Sequence, residues 1–164
     1  MPVSITALAN LTLGSNATSM TFSSIVGTYR DLLLVCNFTN ATADGDYVAV
    51  KINSDTGSNY NSVTLLGDGN TASSANYSSS TLGWLTVGGG FDLARGQLHT
   101  TFFDYAQTDK HKNFITRNGT ASKGTETIAS RWASTSAITT LNIYSVNGWS
   151  FATGSTFALY GISA

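Results

Sequence analysis

Short apolar segments with a period of two residues recur along the chain, and this pattern constrains its fold more than any other feature. Near the C-terminus, residues 138–146 and 156–162 alternate side chains that would point to opposite faces of a β-strand. A turn-rich loop, residues 147–155, joins them. No comparable window keeps the i, i+3, i+4 spacing of an amphipathic helix. The pattern predicts an all-β chain.

We count about nine or ten short strand-like segments, with turn residues roughly every 8 to 15 positions. This spacing is typical of two packed antiparallel sheets or a closed barrel. We therefore predict a jelly-roll-like antiparallel β-sandwich that forms a single domain over residues 1–164. A chain of 164 residues can bury an adequate core without a metal or a disulfide. Its single proline stands at position 2, so no strand is interrupted.

The pattern also predicts which side chains are buried. Residues 29–38 form the longest apolar run, and its continuity predicts burial on both faces. We call residues 138–146 and 156–162 the closing pair of segments. Their side chains predicted for the core are Leu141, Ile143, Phe157 and Leu159. Tyr160 and Ile162 are expected to face a second layer or a neighbouring subunit, and the last segment is expected to lie at the centre of the protein.

Two polar stretches, residues 53–62 and 67–80, are predicted to be long surface loops. Long loops in compact domains are often functional, so specific recognition is expected there first, although a solvated connector explains them equally well. Asn118-Gly119 is a strong signal for a hairpin turn.

Composition argues against several classes of partner. Charged residues make up 10% of the chain, against about 25% in an average globular protein. The formal net charge is −1, and the cations are scattered, so no basic stripe exists for nucleic acid. We find no signal peptide and no stretch that could cross a membrane, and we expect synthesis in a cytoplasm.

No motif predicts catalysis or a cofactor. The two histidines, His99 and His111, accompany no Gly-x-Ser-x-Gly elbow, and the spacing of the carboxylates does not favour a glycosidase pair. Cys36 lies in an apolar run, which predicts a buried thiol rather than a nucleophile. We therefore predict that the protein is not an enzyme.

A metal site is considered and set aside. Asp44 and Asp46, with the later Asp55 and Asp68, are oxygen donors of the kind that calcium prefers. The spacing lacks the full EF-hand pattern and its closing Glu, and aspartates that bond their own turns explain it better. No metal site is predicted.

Aromatic residues are the other candidates for recognition. Trp84 and Trp132 alternate with neighbours in strand-like segments, which favours the core. Tyr60 and Trp149 fall in predicted loops and are the exposed candidates for contact with a sugar or a partner protein. We group them with Asp44 and Asp46 as possible contact residues.

The closing residues 154–162, Gly-Ser-Thr-Phe-Ala-Leu-Tyr-Gly-Ile, resemble the closing motif of a group of small β-rich proteins carried by tailed bacteriophages. A Leu-x-Leu-x-Ser segment at 11–15, a Phe-x-x-Ile-x-x-x-Tyr-x-x-Leu segment at 22–32 and the Asn-Tyr pair at 59–60 also resemble that group. The resemblance implies a virion structural protein, either a capsid decoration or cement protein or a tail-associated module.

We accordingly expect a non-enzymatic virion protein that stabilises the capsid. Its expected partners are copies of itself, as a trimer or another symmetric assembly, and other virion proteins such as the major capsid protein. A low-charge, hydroxyl-rich surface suits such packing, because burying a charge is costly. The alternative is a tail-fibre or receptor-binding module that recognises host glycans through Tyr60, Trp84 or Trp149 and the Asp44/Asp46 loop. An enzyme acting on cell-wall sugar is the third and most distant reading.

Overall fold

The structure is a computed structural model that describes residues 4–41, 45–87, 95–120 and 124–163. The secondary structure of these residues consists of twelve β-strands with no helix. The strands are β1 (Ile5–Thr12), β2 (Ser19–Phe22), β3 (Asp31–Phe38), β4 (Val48–Ile52), β5 (Tyr60–Gly67), β6 (Ala72–Ser80), β7 (Gly83–Trp84), β8 (Gly96–Phe103), β9 (Lys112–Thr120), β10 (Gly124–Trp132), β11 (Leu141–Ser145) and β12 (Thr156–Ile162). The part of the chain that is described therefore has no helix that could span a membrane.

The strands form two antiparallel sheets. An eight-stranded sheet has the order β1-β12-β3-β8-β9-β10-β5-β6, and a four-stranded sheet has the order β2-β11-β4-β7. The predicted all-β, jelly-roll-like sandwich is confirmed. The predicted number of strands, about nine or ten, was too low, and β6 is the strand that was missed, because it carries too few apolar residues to be recognised from its pattern.

The core lies between the two sheets, and β3 shows how the sequence specifies it. Leu32, Leu34 and Cys36 are fully buried, whereas the alternate residues Leu33 and Val35 are only half-buried. The expectation that this run is buried on both faces was wrong, because the four-stranded sheet covers only one face. Cys36 is buried as predicted.

The closing pair is split between the sheets. β11 pairs with β2 and β4 in the small sheet, and β12 pairs with β1 and β3 in the large one. The predicted core residues of the pair are all buried: Leu141, Ile143, Phe157 and Leu159. Tyr160 and Ile162 point away from the small sheet and are half-buried, with no second layer of the described chain over them. β12 is the second strand from the sheet edge, not a central strand.

Two of the predicted loops contain strands. Residues 67–80 form the turn and second strand of the β5–β6 hairpin, and β6 is exposed along most of its length. In the turn, the Asp68 carboxylate accepts hydrogen bonds from the backbone N–H groups of Asn70 and Thr71 at 2.8 and 2.6 Å. Backbone pairing with β5 makes this polar segment a strand, which an apolar pattern could not reveal.

The structure confirms an antiparallel hairpin of β9 and β10, but the position predicted for its turn, Asn118-Gly119, was wrong. Both residues lie inside β9, and the buried Asn118 side chain donates to the carbonyl oxygen of Leu85 at 2.9 Å. The connection between β9 and β10 runs through residues 121–123, which lie outside the described part of the chain.

Candidate functional site

One face of the eight-stranded sheet packs on the small sheet, and no layer of the described residues covers the opposite face, which we call the outer face. Alternation along β5, β8 and β9 directs every second side chain to this face. On these three strands, the exposed large apolar residues of this face are Val63 (50% exposed), Leu65 (60%), Phe103 (43%) and Ile115 (37%). Side chains of this size and exposure in one region mark a candidate interaction surface.

The sheet register brings these side chains together. Ile115 on β9 lies opposite Ala129 on β10, and Ala129 lies opposite Val63 on β5. Directly opposed side chains in antiparallel strands have Cβ atoms about 5 Å apart. Leu65 and Phe103 extend this row at its two sides. We call the five residues the apolar band.

One shallow hollow lies over the apolar band, and a second lies beside it. A hollow of about 420 Å³ has its floor on the apolar band and is bordered by Arg131 and the amides of Asn61 and Asn113. A second hollow, of about 440 Å³, is polar and is lined in part by His99, Arg117 and Thr125. The outer face therefore combines apolar side chains with hydrogen-bond donors.

The charge on the outer face has one sign. Arg117 and Arg131 are exposed there, and neither takes part in the salt bridges found among the described residues. Asp31 in β3 also lies on the outer-face side of its strand, but it is buried, and its carboxylate accepts a hydrogen bond from the Arg30 guanidinium Nε at 2.8 Å. No exposed Asp or Glu of the described strands lies on this face.

A second candidate is an aromatic cluster beyond the edge of the small sheet. The Trp84 ring lies between Tyr47 and Tyr77, with ring centroids 6.1 and 5.4 Å away. Trp84 is half-buried, so its predicted place in the core is only partly confirmed, whereas Trp132 is 3% exposed. The Trp84 indole Nε1 is buried and has no hydrogen-bond partner among the described residues.

The buried carboxylate of Glu126 lies near this cluster. It accepts hydrogen bonds from the Thr64 hydroxyl at 2.5 Å, from the Val87 N–H at 3.0 Å and from the Asn118 amide at 3.1 Å. Burial raises the pKa of the Tyr77 hydroxyl, and the nearby Glu126 adds to the effect. The three hydrogen bonds give Glu126 a structural role.

Asp46 is buried and has a structural role. Its Oδ1 accepts from the Tyr47 N–H at 2.6 Å and from the Asn147 N–H at 3.1 Å, and its Oδ2 accepts from the Ser145 hydroxyl. Its expected role as an exposed contact residue is therefore wrong. Asp44, the other acidic candidate, lies outside the described residues.

The prediction that Tyr60 lies in an exposed loop was also wrong. It begins β5, is fully buried, and its hydroxyl accepts the Ile52 N–H at 3.0 Å. Trp149 does lie in the connection between β11 and β12, where it is partly exposed. Tyr60, Asp46 and Trp149 do not lie on the outer face or in the aromatic cluster. Trp84, the other aromatic residue expected to contact a glycan, is the centre of that cluster.

The described residues contain no group of three or more His, Cys, Asp or Glu side chains that could hold a metal ion. Burial raises the pKa of the Cys36 thiol far above its usual range, which disfavours the reactive thiolate. His99 lies on β8, as predicted, with its side chain on the outer face.

No protein-family model and no curated protein matches the sequence. Among solved structures, the chain is similar to the Caenorhabditis elegans galectin LEC-6, with 8% identity, a TM-score of 0.39, and coverage of 94% of this chain and 96% of the galectin. It is also similar to domains LG4-5 of the mouse laminin alpha1 chain, with 12% identity, a TM-score of 0.35, and coverage of 93% of this chain and 41% of that one.

A third similar structure is a mutant of alginate lyase Aly36B in complex with an alginate tetrasaccharide. Its identity is 13%, its TM-score is 0.32, and the match covers 94% of this chain and 79% of the lyase. At these identities the likenesses concern the arrangement of strands alone.

Sequence reasoning did not identify the outer face. The alternation of Leu98, Thr100 and Phe102 with His99, Thr101 and Phe103 is visible in the sequence, and the structure buries the first set. The missing information was which sheet faces remain uncovered, since Phe102 and Phe103 are equally apolar.

Proposed function

We propose that the chain is a non-enzymatic structural protein of a tailed-bacteriophage virion, with capsid decoration as its role. The observation that supports this proposal best is the open outer face, where an apolar band lies across several strands. The closing motif at residues 154–162 supplies the bacteriophage setting. A decoration protein needs a broad surface that docks on a shell, and a rigid sheet face provides one.

The dimensions and chemistry of the outer face suit this role. Eight strands about 4.8 Å apart and about eight residues long cover about 900 Å². A stable protein interface needs about 800 Å² from each partner. The apolar band supplies hydrophobic burial, and the neighbouring Asn and Thr side chains can form hydrogen bonds at the rim.

Labelling of intact particles tests this proposal. An antibody raised against the purified chain, carrying gold, is applied to particles of the phage that encodes the chain and viewed by electron microscopy. We expect label distributed over the capsid. Label confined to the tail tip contradicts capsid decoration, and particles that lack the chain contradict any virion role.

Glycan recognition is the second candidate, and the aromatic cluster favours it. Sugars stack on aromatic rings, and Tyr47 is 37% exposed beside Trp84 and Tyr77. The buried Trp84 Nε1, without a partner among the described residues, offers a donor for a ligand oxygen. This site includes Trp84 from the expected set, but it does not include Tyr60 or Trp149.

A glycan array run with calcium tests this candidate. If the cluster binds sugar, Tyr47→Ala and Tyr77→Ala abolish the signal, whereas Trp149→Ala in the β11–β12 loop leaves it unchanged. An array with no signal for the wild-type chain would contradict the proposal of glycan recognition.

A further inference from the structure

We infer that the outer face docks on an acidic protein surface, in which carboxylates meet Arg117 and Arg131 and apolar side chains cover the band between them. The inference rests on the proposed function, because it places that acidic surface on a component of the virion. The proposed function states where the protein is located, and the inference adds which chemistry the partner's surface has.

The two arginines occupy a defined geometry. Arg131 on β10 lies opposite Asn113, and Arg117 stands four residues further along β9. With a rise of about 3.4 Å per residue and strands about 4.8 Å apart, their Cα atoms are about 14 Å apart. The opposed pair Ile115 and Ala129 lies between them. A partner must therefore carry two separated acidic groups with an apolar centre.

The arginines have no carboxylate of their own to bring into an interface. No salt bridge of the described residues involves them. Glu126 on β10 is buried towards the small sheet, and Asp31, which lies on the outer-face side of β3, is bound to Arg30. Covering an unpaired guanidinium with a partner removes its hydration without compensation. Docking of this face is favourable only when the partner supplies the negative charge.

This charge pattern disfavours a two-fold contact between the outer faces of two copies of the chain. A two-fold contact places the same patch on both subunits. Face to face, it would set Arg117 and Arg131 of each copy against strands that carry no exposed carboxylate among their described residues. Like charges across an interface cost several kcal/mol. Charge complementarity therefore favours an acidic surface on a partner over the outer face of a second copy.

Competition during infection tests the inference with the full chain. Cells that produce a tagged variant are infected with the wild-type phage, and the ratio of tagged to native chain in purified particles is measured by mass spectrometry. The variants are R117E, R131E, their double substitution, and R117K/R131K, which keeps both positive charges. K51E, on the small sheet, where the Lys51 ammonium lies over the Tyr144 ring, is the control with the same change of charge per residue. Circular dichroism checks that each variant is folded.

We expect the ratio of tagged to native chain to be the same for tagged wild type, K51E and R117K/R131K. For R117E/R131E this ratio should fall by about tenfold or more, because the new carboxylates face acidic groups of the partner. Incorporation of R117E/R131E at the wild-type ratio overturns the inference but leaves the virion role standing. Particles that lack both native and tagged wild-type chain overturn both.

Two further outcomes identify other occupants and overturn the inference. If the purified wild-type chain sediments as an oligomer that R117E/R131E dissociates, a second copy covers the outer face. If incorporation does not change but retention on alginate beads depends on the two arginines, the face binds an acidic polysaccharide.

Discussion

The indole Nε1 of Trp132 donates a hydrogen bond of 2.6 Å to Oδ2 of Asp55, joining the end of β10 to the loop between β4 and β5. The same carboxylate accepts from the Asn59 amide at 2.9 Å and from the Gly57 N–H at 2.8 Å. Burial acts to raise the pKa of Asp55, but these three hydrogen bonds outweigh it and hold the pKa below its ordinary value. Asp55 therefore stabilises the fold in its ionised form.

Substitution of Asp55 by Asn should remove a pH-dependent part of the stability. Because folding lowers the pKa, the contribution of Asp55 is complete above the ordinary aspartate pKa of about 3.9 and is lost as the pH falls through the folded pKa. We expect D55N to lower the free energy of unfolding by about 1.5 kcal/mol at pH 7. The difference from wild type should shrink towards pH 3, as measured by urea denaturation.

The control for this experiment is D109N, which changes an exposed aspartate in the β8–β9 turn. We expect its stability to stay within about 0.5 kcal/mol of wild type. A D55N difference that is the same at pH 7 and pH 3 would show that the ionised form has no special role.

Asp46 should be a structural residue that does not need calcium. Removal of its carboxylate leaves the Asn147 N–H and the Ser145 hydroxyl without their acceptor. We expect D46A to cost about 3 kcal/mol, since hydrogen bonds to a charged group and buried unpaired donors are both expensive. Both carboxylate oxygens already accept hydrogen bonds, so calcium should not change the Tm of the wild type. A calcium-dependent rise in Tm that D46A abolishes would instead establish a metal site.

Gly161 should not tolerate a side chain. A Cβ built at this position would lie 2.4 Å from Cγ of Tyr29, whose ring packs over the β12 backbone and against the core. We expect G161A to lower the free energy of unfolding by about 1 to 3 kcal/mol, the usual cost of overpacking. G14A is the matched control, because nothing lies within 4 Å of a Cβ at Gly14. Equal stability of the two variants would mean that the Tyr29 ring moves aside freely.

The sequence predicted those parts of the fold in which apolar alternation and burial coincide. Leu141, Ile143, Phe157 and Leu159 are buried as expected, because the covered face of each strand needs apolar side chains. β6 could not be predicted, since its polar side chains are exposed and its structure depends on backbone hydrogen bonds to β5.

The candidate site was less predictable than the fold. Tyr60 and Asp46 stand among turn-forming residues, yet both are buried and hydrogen-bonded to the backbone of other segments. Phe103 and Ile115 have the sequence pattern of strand residues and are exposed only because no layer of the described chain covers the outer face. Whether such a residue is buried or exposed depends on contacts with residues distant in sequence, and a local sequence pattern carries no information about those contacts.

Hydroxyl-radical footprinting of the chain, free and on purified particles, tests the central claim most directly. It measures the oxidation of individual side chains by solvent radicals. A virion protein docked by its outer face should show reduced oxidation on particles at Leu65, Phe103 and Ile115, while Tyr47 and Tyr77 on the other side of the molecule keep their free rates. Equal oxidation of the three outer-face residues in the free and particle-bound chain would contradict the account.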